Sequence, residues 1–325
     1  MSINEIFERF NELNVLIIGD VMIDAYTWGK VERISPEAPV PVVNVSHREM
    51  RLGGAGNVVL NVQAMGAKAI ICSVVGSDSY GNELLHLLTE KGLSTEGIIQ
   101  SPTRITTVKE RIIAGSQQVV RVDTETDKLI SEQESNNLLA KVKELASSAD
   151  VIIFEDYDKG VLSPELIKAI TDFANEQQIP TVVDPKKRNF LHYRETTLFK
   201  PNLKELKEGL NIQFDVNNPT ELTQAVTHLK ETLQLKGAFV TLSEKGVYID
   251  SDNEQVHIPA HIRKIADVSG AGDTVISIAA CCVALDLNPS LVAGLANLGG
   301  GLVCESLGVV PINKALLLEE ALKHV

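Results

Sequence analysis

Short β-branched runs alternate with longer stretches of helical period along most of this chain, and that rhythm leaves few folds open to it. An apolar run at 15–18 is closed by Gly19-Asp20, and similar runs recur at 69–75, 151–154, 181–183 and 238–242. Runs without polar alternation belong to strands covered on both faces, as in a parallel sheet. Helical patterns separate them at 56–65, 80–91, 132–146, 164–177 and 219–233. The expected fold is therefore α/β, a mostly parallel sheet with helices on both faces, and its ligands should gather at the carboxyl ends of the strands.

Two stretches break the rhythm. Residues 25–51 hold Pro36, Pro39 and Pro41 around a β-rich segment at 40–45, and residues 103–123 alternate as two strands with Gly115-Ser116 at the hairpin turn. Both read as a small β-sheet lid over the active face. Without a long linker, repeat or low-complexity tract, the lid belongs to one domain spanning 1–325, a length near the practical limit for a single core. In the last third, an apolar run at 275–285 reads as a helix buried on every side. Asn288-Pro289 then caps a second helix that continues through Asn297 to about Cys304.

Composition removes several functions. Acidic residues number 43 against 30 basic ones, a net charge of −13 that repels polyanions and argues against nucleic acid or an anionic membrane as partner. None of the four cysteines stands in a C-x-x-C spacing. The start has no basic segment followed by an apolar one, and the longest apolar run is about half of a membrane span. The expectation is a cytoplasmic protein.

Four elements could carry chemistry. Gly270-Ala271-Gly272-Asp273 opens the buried helix. Small residues there let an anion reach backbone N–H groups that lack internal partners, and Asp273 beside them is placed to take a proton from a hydroxyl. Gly53-Gly54-Ala55-Gly56-Asn57 opens another helix, and Asn57 can both donate to and accept from sugar hydroxyls. Asp20 and Asp24 follow the first strand as candidate hydroxyl ligands. In Lys200-Pro201-Asn202-Leu203-Lys204-Glu205, an amide and a carboxylate three apart share one face of a first helical turn. That pair can hold water on Mg²⁺, although the same spacing is also an ordinary capping box.

Together these elements resemble the ribokinase-like (PfkB) carbohydrate kinase family, in order and spacing over essentially the whole chain. Within it the strings Gly19-Asp20-Val21-Met22-Ile23-Asp24, Arg33 to Val43, Gln117 to Asp123, Asp156-Tyr157-Asp158-Lys159-Gly160 and Val183-Asp184-Pro185-Lys186 are most similar to kinases acting on D-glycero-β-D-manno-heptose 7-phosphate. The resemblance implies a ribokinase-like three-layer sandwich, ATP and Mg²⁺, and a homodimer formed through the lid. It implies Asp273 as catalytic base with Gly270, Ala271 and Gly272 as anion hole, and Asn202 and Glu205 organising Mg²⁺ and the ATP phosphates. Thr241, Ser243 and Gly246 match a nucleotide-binding turn, and Asn297 the adenine pocket. Asp24, Gly53, Gly54 and Asn57 match sugar contacts. Asp267 and Ser269 match positions that hold a monovalent cation, K⁺, in some relatives, although Val309-Val310-Pro311 departs from the more polar pattern there. In many such proteins a nucleotidyltransferase domain follows; here only the kinase step is implied.

An acidic protein that binds a sugar phosphate needs a local positive field. Lys109 and Arg111, two apart on a lid strand, should share a face, and Lys186, Lys187 and Arg188 follow the strand end at Asp184. Asp156, Lys159 and Asp184 complete the expected substrate contacts. Two alternatives stay open: another sugar kinase of the family, fructokinase-like, or a sugar-binding protein without catalysis.

Overall fold

The computed structural model describes residues 1–325 apart from Ser116, Ile262 and Leu307. Among the described residues thirteen strands form two sheets. They are β1 (Asn14–Gly19), β2 (Val21–Ile34), β3 (Pro41–Gly54), β4 (Lys68–Gly76), β5 (Ile98–Ser101), β6 (Val108–Ala114), β7 (Gln117–Thr124), β8 (Val151–Glu155), β9 (Thr181–Asp184), β10 (Leu198–Phe199), β11 (Gly237–Thr241), β12 (Val247–Ser251) and β13 (Glu254–Ile258). The larger sheet has the order β13-β12-β11-β10-β9-β8-β1-β4-β5. It is parallel from β5 to β11, and an antiparallel hairpin, β12 with β13, closes the other edge.

Alternation along β1 shows how the sheet is sandwiched. Val15 and Ile17 join the core that includes helices Ala55–Ala64, Ala271–Ala284 and Pro289–Val303. Leu16 and Ile18 face the core under Glu132–Leu145, Pro164–Glu176 and Pro219–Leu233. Burial on both faces explains why these strands read as unbroken apolar runs. The helix Ala271–Ala284 is buried on nearly every side because it lies between Ala55–Ala64, Pro289–Val303 and the sheet.

The second sheet, of order β3-β2-β6-β7, is the lid. Its strands differ from the expected segments in length. β2 and β3 are paired antiparallel from Val21↔Gly54 out to Ile34↔Pro41, so the short β segment at 40–45 is the outer part of a ribbon rooted at the site. Pro36 and Pro39 fall in its turn, and Pro41 begins β3, where no ladder donor is lost from the strand interior. β6 joins β2 in parallel and β7 in antiparallel fashion. The expected Gly115-Ser116 turn lies partly outside the described residues, since Ser116 is not among them.

The helical first turn expected at Asn202–Glu205 opens the helix Leu203–Leu210, whereas helices Ile3–Arg9 and Lys314–His324 and the β12–β13 hairpin were not among the expected elements. No helix among the described residues is long and apolar enough to cross a membrane.

Candidate active site

β1 lies between β4 and β8, and the helices that follow β1 and β8 in the chain, Ala55–Ala64 and Pro164–Glu176, cover opposite faces of the sheet, so a crevice opens at the carboxyl ends there. Register brings acids to that edge. Gly19 pairs with Glu155 and Glu155 with Asp184, so the last residues of β8 and β9 lie side by side, with Asp20 next to them. Gly19 has to be glycine, because a Cβ there would come within 1.9 Å of the Glu155 carbonyl oxygen.

Opposite this edge begins the helix Ala271–Ala284. Gly270 caps it with φ of 79°, in the left-handed region that suits glycine. Asp273 in its first turn is buried. The Asn57 Nδ2 donates to Asp273 Oδ2 at 2.6 Å, and the Tyr157 hydroxyl donates to Oδ1 at 2.8 Å. Burial pushes the Asp273 carboxyl up to about 6; the two donors pull it down, and neighbouring Asp184 pushes it further up. A carboxyl in that range is a serviceable proton acceptor near neutral pH.

Asp184 is flanked by two cations: Lys200 Nζ lies 2.8 Å from Oδ2 and Lys186 Nζ 3.5 Å from Oδ1. Burial alone would raise the Asp184 carboxyl, but these lysines hold it below its usual value. Lys186 also reaches Glu205 Oε1 at 3.1 Å. Asn202 and Glu205 form a reciprocal capping box on Leu203–Leu210, with both hydrogen bonds at 2.9 Å. The bland reading of that motif is therefore present in full, and it also fixes Glu205 where its second oxygen faces Lys186. Asn202 and Ser243 line a cavity of about 530 Å³ with Lys204 and Lys207. Thr241, at the end of β11, bridges to Asn202.

The lid supplies the other wall. Arg111 pairs with Asp24 at 2.5 Å, and Gly53 makes room for that carboxylate, since a Cβ there would come within 2.3 Å of Asp24 Oδ2. Gly54 has φ of 58° and lets Ala55 N–H donate to the Asp20 carbonyl at 3.0 Å. Lys109 and Lys186 place their ammonium groups 5.6 and 5.3 Å from the Tyr157 ring centroid. Lys109, from the lid, thereby converges with Lys186, from the sheet edge, and both expected lid cations face inward.

Other expected residues do different work. Both Asp20 oxygens accept from N–H donors of Tyr157, Lys159 and Val161, so Asp20 holds the loop after β8. Asp156 accepts from Asn189, Tyr193 and the Asp158 N–H, all on that side of the sheet. Lys159 pairs with Glu125 at 2.9 Å. Lys187 extends to Glu208, and Arg188 is engaged by Asp127 and Asp158, so neither adds free charge to the crevice. Gly246 has φ of 85° and a Cβ there would strike the Ile258 carbonyl at 2.0 Å, which makes it a turn residue of the β12–β13 edge. Asn297 donates to the Pro259 carbonyl at 2.9 Å. Asp267 accepts from Ser269 and Gly308 N–H groups and straps those two turns together.

Three residues of the site had no assigned role in the sequence: Glu155, Tyr157 and Lys200. Each stood next to a visible signal, Glu155 directly after the apolar run at 151–154 and Lys200 directly before Pro201.

The donors facing the crevice are carboxylates, an amide and hydroxyls, with no His or Cys among them. That set suits a hard cation such as Mg²⁺, and the Glu155 oxygens, buried and without hydrogen-bond partners, fit the same preference.

A mostly parallel sheet with an acid in the first turn of a helix facing its carboxyl edge, together with a small β lid, defines a ribokinase-like fold. Solved structures agree. Phosphofructokinase-2 from Escherichia coli in complex with potassium superposes with a TM-score of 0.78 at 17% identity, covering 96% of this chain and 98% of that one. Ribokinase from Arabidopsis thaliana, complexed with ribose and ATP, gives a TM-score of 0.72 at 14% identity, covering 96% and 99%. Residues 12–315 match the pfkB family carbohydrate kinase model, and the chain belongs to that family. It is 39% identical over 320 residues to the bifunctional protein HldE of Geotalea uraniireducens (strain Rf4), a match that takes in 98% of this chain and 65% of that protein. The chain thus spans just under two thirds of that relative's length.

Proposed function

We propose that this chain phosphorylates a sugar phosphate at the expense of ATP, the acceptor being D-glycero-β-D-manno-heptose 7-phosphate and the product its 1,7-bisphosphate. The observation that carries the reading is Asp273, buried at the N-terminus of its helix and aligned by Asn57 and Tyr157. Asp273 takes the proton of the anomeric hydroxyl as that oxygen attacks the γ-phosphorus, and the bond from phosphorus to ADP breaks. The N–H groups from Gly270 to Gly272 receive the equatorial oxygens of the transferring group. Mg²⁺, held through water by Asn202 and Glu205, would supply charge neutralisation on the phosphates. Lys186 sits between Asp184 and Glu205, and its position suits the same phosphates. Thr241 and Ser243 border the nucleotide side, and Asp24, Gly53 and Gly54 the sugar side. Closure of the lid keeps water from the γ-phosphate.

The acceptor's own phosphate is assigned to Lys109 and Arg111. Both face the crevice from one side of β6, and Arg offers a bidentate fork where Lys offers a point charge. The similarity to a bifunctional protein HldE and the matching strings support the choice of acceptor. A lid-to-lid homodimer belongs to the same proposal, supported by Val31, Ile34, Val119, Val120 and Val122, all exposed on the lid. K⁺ beside Asp267 and Ser269 is tested by comparing rates in K⁺ and Na⁺.

The deciding experiment measures ADP release with heptose 7-phosphate, the unphosphorylated heptose and fructose 6-phosphate. Turnover of heptose 7-phosphate far above the other two is expected. Equal use of the free sugar leaves a general sugar kinase, preference for fructose 6-phosphate leaves a fructokinase-like enzyme, and no turnover of any leaves a sugar-binding protein.

A further inference from the structure

Asn61 lies one helical turn beyond Asn57, on the same face of Ala55–Ala64, and is fully buried. Its amide is surrounded by partners. The Ile312 N–H donates to Asn61 Oδ1 at 3.0 Å, and the Thr274 hydroxyl donates to the same oxygen at 3.0 Å. Asn61 Nδ2 donates to the Asn57 carbonyl at 3.0 Å and lies 3.5 Å from Asn57 Oδ1.

Which end of an amide faces a neighbour is settled by the groups around it. A backbone N–H can only donate, so the atom that meets Ile312 has to be the Asn61 oxygen. The Asn61 NH₂ is thereby turned toward Asn57, and it too can only donate. It faces the Asn57 oxygen, which leaves the Asn57 NH₂ to meet Asp273 Oδ2 at 2.6 Å. An inverted Asn57 would set two NH₂ groups against each other and its own oxygen against the carboxylate.

The second of these repulsions lasts only while Asp273 is charged. Once Asp273 holds the acceptor's proton, an inverted Asn57 could accept a hydrogen bond from it, a neutral pair that favours keeping the proton. The repulsion between the two NH₂ groups persists in both states. Helix Ala55–Ala64 carries no ionisable residue, so its side chains act on the base through these amides alone.

We propose that Asn61 is a positioning residue that fixes the sense of the Asn57 amide, so that an NH₂ group faces Asp273 both before and after the proton is taken. The inference rests on Asp273 as the proton acceptor. The order originates in the N–H of Ile312, 251 positions away in the chain, and reaches the base through two side chains.

Two measurements on the full chain test it. The first is hydrogen exchange of the Asn57 side-chain NH₂ without ATP or sugar, followed by nuclear magnetic resonance and identified by its absence in Asn57→Ala. The group should be protected in wild type, and Asn61→Leu should speed its exchange about tenfold or more. Asn61→Ser, too short to reach Asn57, is the second variant should the leucine fold poorly, and melting curves check both. Unchanged exchange in a folded variant would overturn the relay. The second measurement reads kcat and KM for ATP. The Asn61 variant should lower kcat about tenfold with KM for ATP nearly constant, and should lower it no further in an Asn57→Ala background. A full additional loss in that background would make Asn61 a packing residue and overturn the proposal. Because the first measurement contains no substrate, its failure and a failure of the phosphotransfer reading are told apart.

Discussion

Gly272→Ala separates what the folded chain tolerates from what the reaction needs. Gly272 lies in the first turn of Ala271–Ala284, and a Cβ added there would meet only Asp184 Oδ2 at 3.8 Å and Lys200 Nζ at 3.9 Å. Those are ordinary contacts, so the folded protein need not move. Replacing a helical glycine by alanine stabilises by about 0.5–1 kcal/mol, and the first turn belongs at the lower end. For a domain of this size that corresponds to a rise in Tm of roughly 1–2 °C. On the proposed placement of the transferring phosphate, the new methyl would nevertheless occupy the space through which a phosphoryl oxygen approaches the N–H groups. Loss of one such donor costs about a hundredfold in kcat. Scanning calorimetry and a coupled assay for ADP should therefore move in opposite directions, Tm slightly up and kcat steeply down. Turnover close to wild type would refute the placement of the transferring phosphate at this helix terminus. A drop in both would mean that the contacts around Gly272 are tighter than 3.8 Å allows.

Asp273→Asn should lower kcat by about 10²–10⁴-fold with little change in ATP affinity. Its carboxyl titrates near 6 in the fold, above the unfolded value, so the native state pays for the charge above that pH and recovers as pH falls toward 4. In chelator, the Tm of the Asn variant relative to wild type should accordingly be more favourable at about pH 7.5 than at about pH 5, and an equal difference at both would contradict the burial cost. Arg111→Ala should erode the preference for a phosphorylated acceptor, read as the ratio of kcat/KM for heptose 7-phosphate and free heptose; an unchanged ratio removes Arg111 from that role. Arg188→Ala, engaged elsewhere by Asp127 and Asp158, should leave that ratio alone. Glu205→Gln should raise the Mg²⁺ concentration needed for half-maximal rate, and an unshifted titration would return Asn202-x-x-Glu205 to capping alone.

Central strands and long helices were readable in the sequence because burial on both faces leaves an unmistakable apolar run. What escaped shares one physical cause, that polar residues inside the fold look like surface from a single sequence. The apolar run ends at 154, yet Glu155 is the last paired residue of β8. Lys200 stands in the sequence only as the residue before Pro201-Asn202, yet it is 2% exposed and bound to Asp184. Asp20 was placed at the right edge, but only three dimensions reveal the loop after β8 wrapped on its carboxylate. The β2–β3 ribbon was underestimated because its inner half alternates weakly while facing the site. The four chemical motifs themselves were visible as small residues and acids at element ends.

The hydrogen bonds that align Asp273 join residues 216 and 116 positions apart in the chain. Asp20 is likewise tied to backbone more than 130 residues away. Contacts of such sequence separation form late, after the loops between them have been closed at an entropic cost. During refolding, secondary structure and collapse should therefore precede recovery of turnover, and a nascent chain that has not yet supplied the helix at Ala271 holds no partial site. Phosphotransfer would then report on completed folding more stringently than any spectroscopic signal from the sheet.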